Sequence, residues 1–402
     1  MWVLLLLLPL LGVLVWAVFK HFLTADVPAV LKHRIKFRML HCAFLYITTL
    51  GHVLEKLRIC SGYKFVRFLE DLWIIKKDPS LVVTNLRFGT IPVRLFQPRA
   101  ASSEPRRAII FYHGGGGGFG TLTSYHSLCC FLARETESVV LSVGYRLYPD
   151  SFGMVMAEDC YAASVHFLRN LQTYGVDPSL VLVGGESIGG TFVGYVCRKL
   201  LGRSDLPRIR AQIMICPFLQ AINLQLPSHQ RYKNVPFLTQ TLMLTCLCDC
   251  MSINHSWWDA MLNGSFRSPE LWKKYQKWLS ADNIPKKFKP SNYRPPVSAP
   301  FHEAAFLETG LLFDQRFSPL LANDEVVARL PPAFLLSCEN DIFRDDALLY
   351  KKRLEDLRVP VVSYHVEDGF HGALLFFDKK CFSFPCSRRI VNAVASYIRG
   401  IQ

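Results

Sequence analysis

From Leu81 onward, short apolar runs alternate with longer stretches whose apolar positions recur every three or four residues. The runs are Ala108–Tyr112 (AIIFY), Ser138–Val143 (SVVLSV), Leu180–Val183 (LVLV), Ala211–Cys216 (AQIMIC), Ala333–Cys338 (AFLLSC) and Val361–Val366 (VVSYHV), each soon followed by Gly, Pro, Asn or Asp. Runs this short and this apolar are what strands covered on both faces require. The stretches between them, such as Met156–Tyr174 and Asp345–Leu357, are long enough to cross over and bring the next strand in parallel. The pattern predicts an α/β fold, with a mostly parallel sheet and helices on both faces. Residues 219–304 break the rhythm with Trp, Pro, Lys and Cys and no strand run, and are expected to form a helical cap inserted at one end of the sheet.

Upstream of Leu81 the pattern changes. Met1–Phe19 (MWVLLLLLPLLGVLVWAVF) carries no charge. At 1.5 Å per residue such a helix crosses most of a ~30 Å hydrocarbon core. No basic residue precedes the run and no small-residue cleavage site closes it, so a retained anchor over residues 1–23 fits better than a cleaved signal. A second apolar stretch, Leu40–Leu54, is short for a span and carries His41 and His52. It is expected to be a packed or interfacial helix beside the membrane. Residues 24–80 are expected to serve as a membrane-proximal cap and linker that joins the insertion, and residues 81–402 to form the main α/β domain.

Composition narrows the classes. The 402 residues are 50% hydrophobic and 19% charged, which excludes a disordered chain, and 46 Lys and Arg against 32 Asp and Glu leave a net charge of +14. The basic residues cluster at Lys32, Arg34, Lys36 and Arg38, just beyond the apolar segment, and again between Lys273 and Lys289, outside any nucleic-acid-binding motif. A membrane lipid surface is therefore the expected partner and nucleic acid is not. Two signals bear on orientation and they disagree. The basic flank favours the cytosol for the chain beyond the span, whereas the sequons at Asn254 and Asn263 have meaning only in a luminal or extracellular space. The thirteen cysteines have no regular spacing, and the Cys246, Cys248, Cys250 cluster has no matching second pair, so no metal is expected.

The chemistry lies at the ends of the strand runs. Gly185-Glu186-Ser187-Ile188-Gly189 fits G-x-S-x-G between an apolar run and a helical stretch. There, small flanking residues let a strained turn close and lift a serine Oγ above the sheet. The motif alone is weak, since a glycine-rich turn can simply pack a helix on a strand. A second feature strengthens it: Ala108–Tyr112 runs into His113-Gly114-Gly115-Gly116-Gly117-Gly118. Its backbone N–H groups, those of Gly115 and Gly116 together with that of Ile188, are candidate donors to a developing oxyanion. A serine needs a base, and the base needs an acid to orient it. Asp341 follows Ala333–Cys338 and His371 follows Val361–Val366, in the chain order Ser, Asp, His. Asp345 and Asp346 are rivals for the acid, although they begin a helix where carboxylates have a capping reason to sit. His365 lies inside a run and is expected to pack.

These motifs resemble those of the hormone-sensitive-lipase-like α/β hydrolases, and within them the arylacetamide deacetylase branch. HGGGGGFG is similar to that family's oxyanion loop, GYRLYP to its YRLxP, GESIGG to its GDSAGG, ENDIFRDD to its DxLRDD and EDGFHG to its last histidine motif. The resemblance covers nearly the whole chain. It implies an α/β-hydrolase fold with Ser187 as nucleophile, Asp341 as acid and His371 as base, the segment from His113 to Gly116 as oxyanion loop, and no cofactor. It further implies a type II anchor in the endoplasmic reticulum with a luminal catalytic domain, and a small apolar ester or amide as substrate. Two residues depart from the family pattern: Glu186 replaces the usual Asp beside the nucleophile, and the disulfide partner expected for Cys338 is Gly118. A contrasting expectation is a catalytically silent protein that keeps the fold to bind lipids or a protein partner; the presence of all three catalytic residue types argues against it.

Overall fold

A computed structural model of the chain describes residues 2–72, 75–291, 293–297 and 299–401, with side chains from Leu8. Its centre is an eight-stranded sheet built from β1 (Leu81–Phe88), β2 (Ile91–Pro98), β3 (Arg106–Tyr112), β4 (Val139–Val143), β5 (Val176–Glu186), β6 (Ala211–Ile215), β7 (Ala333–Asn340) and β8 (Val361–Phe370). The order across the sheet is β1-β2-β4-β3-β5-β6-β7-β8. From β4 to β8 every neighbouring pair is parallel, while β1 and β2 form an antiparallel hairpin that also pairs antiparallel with β4.

All six sequence runs are strands. The hairpin at the sheet edge is an addition to them: Pro92 and Pro98 interrupt the run of β2, and they are tolerated because they lie at its two ends, outside its ladder with β4 over residues 93–96. Gly89, at φ 62°, supplies the left-handed turn that joins its two strands.

The pleat divides the core in two. In β3, Ala108, Ile110 and Tyr112 face one apolar layer, whereas Ile109 and Phe111 face the other. The parallel strands therefore read as continuous apolar runs in the sequence. Residues 219–304 hold helices and turns and no strand among the described residues, chief among them Gln240–Met251 and Pro269–Leu279.

At the amino end lie three helices, α1 (Trp2–Thr24), α2 (Arg34–Lys56) and α3 (Gly62–Asp71). The second apolar stretch is thus the core of a longer helix, which is itself long and apolar enough to cross a membrane. The helices pack in series, His21 of α1 against His41 of α2, and Gly51 of α2 against Gly62 of α3 at backbone contact. The aromatic ring of Phe37 seats α2 on the rest of the fold, edge-on to Phe237, Phe370 and Phe384.

Candidate active site

Ser187 stands on the turn between β5 and the helix Ile188–Leu200, at φ 55° and ψ −120°. A non-glycine residue in this region is strained. Neighbouring hydrogen bonds hold it there: its N–H donates to Ile215 O at 2.9 Å, and its carbonyl accepts from Gly190 at 2.9 Å and Phe218 at 3.1 Å. The flanking glycines are a steric requirement, because a Cβ on Gly185 would sit 2.4 Å from Gly189 O and one on Gly189 would sit 2.2 Å from Tyr112 O.

Asp341 and His371 follow the ends of β7 and β8 and meet the serine there. The Ser187 hydroxyl donates to His371 Nε2 at 2.9 Å, and His371 Nδ1–H donates to Asp341 Oδ2 at 2.9 Å. The other Asp341 oxygen accepts the Phe343 N–H at 2.8 Å, which fixes the carboxylate. All three side chains are buried. Burial pulls the His371 pKa down, but the charge and hydrogen bond of Asp341, helped by Glu186, outweigh it and raise the pKa above 6.5.

Neither rival acid reaches the histidine. Asp345 pairs with Arg344 and accepts from Ser228, and Asp346 accepts from the Leu219 N–H and the Gln220 amide. His365 bridges Ser337 and Glu339, away from Ser187.

The glycine loop lies against Ser187, so close that a Cβ on Gly114 would be 3.3 Å from Ser187 Cβ. Gly115 (φ 117°) and Gly116 (φ 62°) take backbone conformations that suit glycine, and a Cβ on Gly115 would collide with Phe119 O. Gly115, Gly116, Ser187 and Ile188 line the same cavity. His113 does not face that cavity. Its Nδ1–H donates to Gly114 O at 2.8 Å and its ring stacks on Tyr145, so it braces the loop from behind; burial holds its pKa down at about 4.

Several bracing residues are not legible in the sequence. On α3, Arg67 donates to Gly118 O at 2.6 Å and Tyr148 O at 2.7 Å, while Glu70 accepts the Gly120 N–H at 3.0 Å. Their only sequence signal is a charged pair three residues apart on one helix face. Tyr125 donates to Glu186 Oε2 at 2.5 Å, and the Gly114 backbone hydrogen-bonds the same hydroxyl. Through this hydroxyl the longer Glu186 side chain ties the turn at Ser187 to the glycine loop.

Above Ser187 is a cavity of about 570 Å³, lined mainly by apolar side chains, among them Phe44 and Ile47 of α2, Phe237, Leu242, Met243 and Phe376. Cys246 and Cys250 also line it, and Cys248 turns toward Met261. Among the described residues no group of three His, Cys, Asp or Glu side chains is placed to hold a metal ion. Cys338 lies 3.4 Å, sulfur to sulfur, from Cys216 of the neighbouring strand, not beside Gly118. Asn254 and Asn263 are both exposed, and each carboxamide oxygen accepts an N–H two residues on.

An α/β-hydrolase-fold family model matches residues 109–277 and 293–375. The human protein arylacetamide deacetylase-like 4 is 62% identical over 99% of this chain and 98% of its own length. Mouse neutral cholesterol ester hydrolase 1 is 32% identical over 75% of this chain and 76% of its own. Among solved structures, an α/β-hydrolase enzyme from the metagenome of Lake Arreo, Spain, superposes with a TM-score of 0.67 at 21% identity, over 92% of this chain and 98% of that one.

Proposed function

Because the chain belongs to the α/β-hydrolase fold family, within its arylacetamide deacetylase-like group of carboxylic ester hydrolases, we propose that it cleaves uncharged lipid esters through Ser187, His371 and Asp341. The observation that carries this reading is the continuous hydrogen-bonded line from the Ser187 hydroxyl through His371 to Asp341 at the floor of an apolar cavity.

Ser187 Oγ attacks the ester carbonyl as His371 Nε2 takes its proton. The carbonyl oxygen becomes an alkoxide facing the N–H groups of Gly115, Gly116 and Ile188. One such donor typically lowers the barrier by ~3 kcal/mol. The bond to the leaving oxygen breaks, His371 returns the proton to it, and an acyl-serine remains. Water, deprotonated by the same imidazole, then releases the acid. Asp341 holds the ring in the tautomer with its proton on Nδ1 and stabilises the imidazolium.

The cavity supports the substrate class. Its volume suits a drug-sized or larger apolar group, and a charged group would have to shed water among Phe237, Phe317 and Phe376. The similarity to neutral cholesterol ester hydrolase 1 points the same way. Amides such as aryl acetamides are the harder alternative substrates, because an amine is the poorer leaving group.

The membrane part of the reading assigns residues 1–23 as a single type II span, with the catalytic domain in the lumen of the endoplasmic reticulum, and residues 219–304 as the cap insertion. The exposed Asn254 and Asn263 support a luminal face. The test is hydrolysis of a homologous series of p-nitrophenyl esters by full-length protein in detergent, with Ser187→Ala as control. The reading expects turnover at least a hundredfold above that control, and turnover equal to it refutes the reading.

A further inference from the structure

The catalytic cavity is open along α2. Leu40, Ala43, Phe44 and Ile47 of this helix line it, and Ala43 is at once a wall of the cavity and exposed at the molecular surface. Ile35 and Met39, 78% and 68% exposed, precede Ala43 at four-residue spacing and so continue the same face outward from the opening. On the neighbouring α3, Val66 and Leu69 line the cavity, while Phe68, and Leu72 just past the helix end, are each 61% exposed.

The remaining rim repeats this pattern. Phe382 lines the cavity from the far side and is itself 37% exposed. Beside α2 lies α1, whose Phe19, Phe22 and Leu23 are all more than half exposed. The surface around this opening is therefore more apolar than water tolerates over a large area, and it is continuous with the helix assigned as membrane anchor. The polar side chains of the lining are few: Ser124, Tyr125, Glu186, Ser187 and His371, with Glu70 and Lys379.

From this continuity we infer that the opening bounded by α2 and α3 rests on the lipid bilayer, and that ester lipids reach Ser187 laterally from the membrane. The occupant of the exposed apolar face is bilayer lipid. An ester with long acyl chains has almost no aqueous concentration, so a mouth held in the acyl region removes the need to cross water. The inference rests on the hydrolase reading and adds the route by which its substrate arrives.

The test uses full-length protein reconstituted in phosphatidylcholine vesicles, with two substrates: a long-chain diacyl ester dissolved in the bilayer and p-nitrophenyl acetate in the buffer. The variants are the pairs Ile35→Asp with Met39→Asp, and Phe68→Asp with Leu72→Asp, against Ile35→Leu with Met39→Leu. None of these side chains lines the cavity. Each Asp pair is expected to lower turnover of the bilayer ester at least tenfold while acetate turnover stays within twofold, and the Leu pair is expected to keep both. Unchanged turnover of the bilayer ester overturns the inference, as does a proportional loss on both substrates in both Asp pairs, which would assign these residues to folding. A wild type that cleaves neither substrate refutes the hydrolase reading itself.

Discussion

Replacing Glu186 by Gln keeps the side chain's size and an acceptor oxygen for the Tyr125 hydroxyl, and removes one ionisable proton from the core. Glu186 is 2% exposed. Burial, the largest influence, raises its pKa from 4.5 to about 7, against the Tyr125 hydrogen bond and the His371 charge, which pull it down. The folded protein therefore holds this proton to higher pH than the unfolded chain does. The stability that goes with it is fully present below pH 4.5 and is lost as pH rises through about 7. At ~1.4 kcal/mol per pH unit over that interval the wild type loses roughly 3 kcal/mol through this residue alone. Glu186→Gln should match the wild type within about 1 kcal/mol at pH 4.5 and exceed it by roughly 3 kcal/mol at pH 8. Urea unfolding of the full-length protein in detergent at the two pH values measures the difference, and comparison with the wild type cancels the other buried carboxylates. A second readout is kinetic. The Glu186 charge helps to raise His371, so in the variant the acid limb of kcat/KM should move to lower pH. A stability gap that is the same at both pH values would show that Glu186 is ionised in the folded protein throughout, and would refute the reasoning.

The same geometry sets further outcomes. The wild-type acid limb of kcat/KM should lie above pH 6.5, because a raised His371 pKa keeps the base protonated longer. Asp341→Asn should lower kcat on the order of 10⁴-fold by favouring the wrong tautomer, with KM little changed. Gly189→Ala should destabilise the fold by ~3 kcal/mol or more, read as a fall in Tm, since its Cβ would lie 2.2 Å from Tyr112 O and neither backbone can yield cheaply. Arg344 is buried between Asp345 and Glu339 just after Asp341. Arg344→Met should therefore cost roughly 3–5 kcal/mol in unfolding free energy by leaving Asp345 buried and unpaired.

What the sequence disclosed depends on which interactions are local. A strand buried on both faces writes itself as an apolar run, so β3, β4, β6, β7 and the buried end of β5 were legible, while the edge strand β8, with Val362 and Tyr364 exposed, was legible through its β-branched residues. The strained turn at Ser187 was legible too, since Gly185 and Gly189 must lie beside Ser187 in the chain for the turn to close. Asp341 and His371 were found from strand ends and chain order alone, because a parallel sheet brings successive carboxyl ends to one edge. The β1–β2 hairpin was not legible, as its prolines break the pattern that strands are recognised by. Nor was the role of α2: periodicity marks Leu40–Leu54 as apolar without saying whether the partner of its face is core, lipid or a cavity. Arg67, Glu70 and Tyr125 act on loops distant in sequence, and nothing local to them announces it. His113 illustrates the finer limit, for its place at the start of the glycine loop was readable but the direction of its ring, away from the cavity and onto Gly114 and Tyr145, depends on packing.

Whether Ser187 is an activated nucleophile is read most directly by labelling the full-length protein in detergent with a fluorophosphonate, with mass spectrometry of the adduct. The geometry predicts a single phosphonylated residue, Ser187, with labelling abolished in Ser187→Ala and strongly slowed in His371→Ala while both remain folded. Folded wild type that takes up no label, or that takes it up at a residue other than Ser187, would contradict the account.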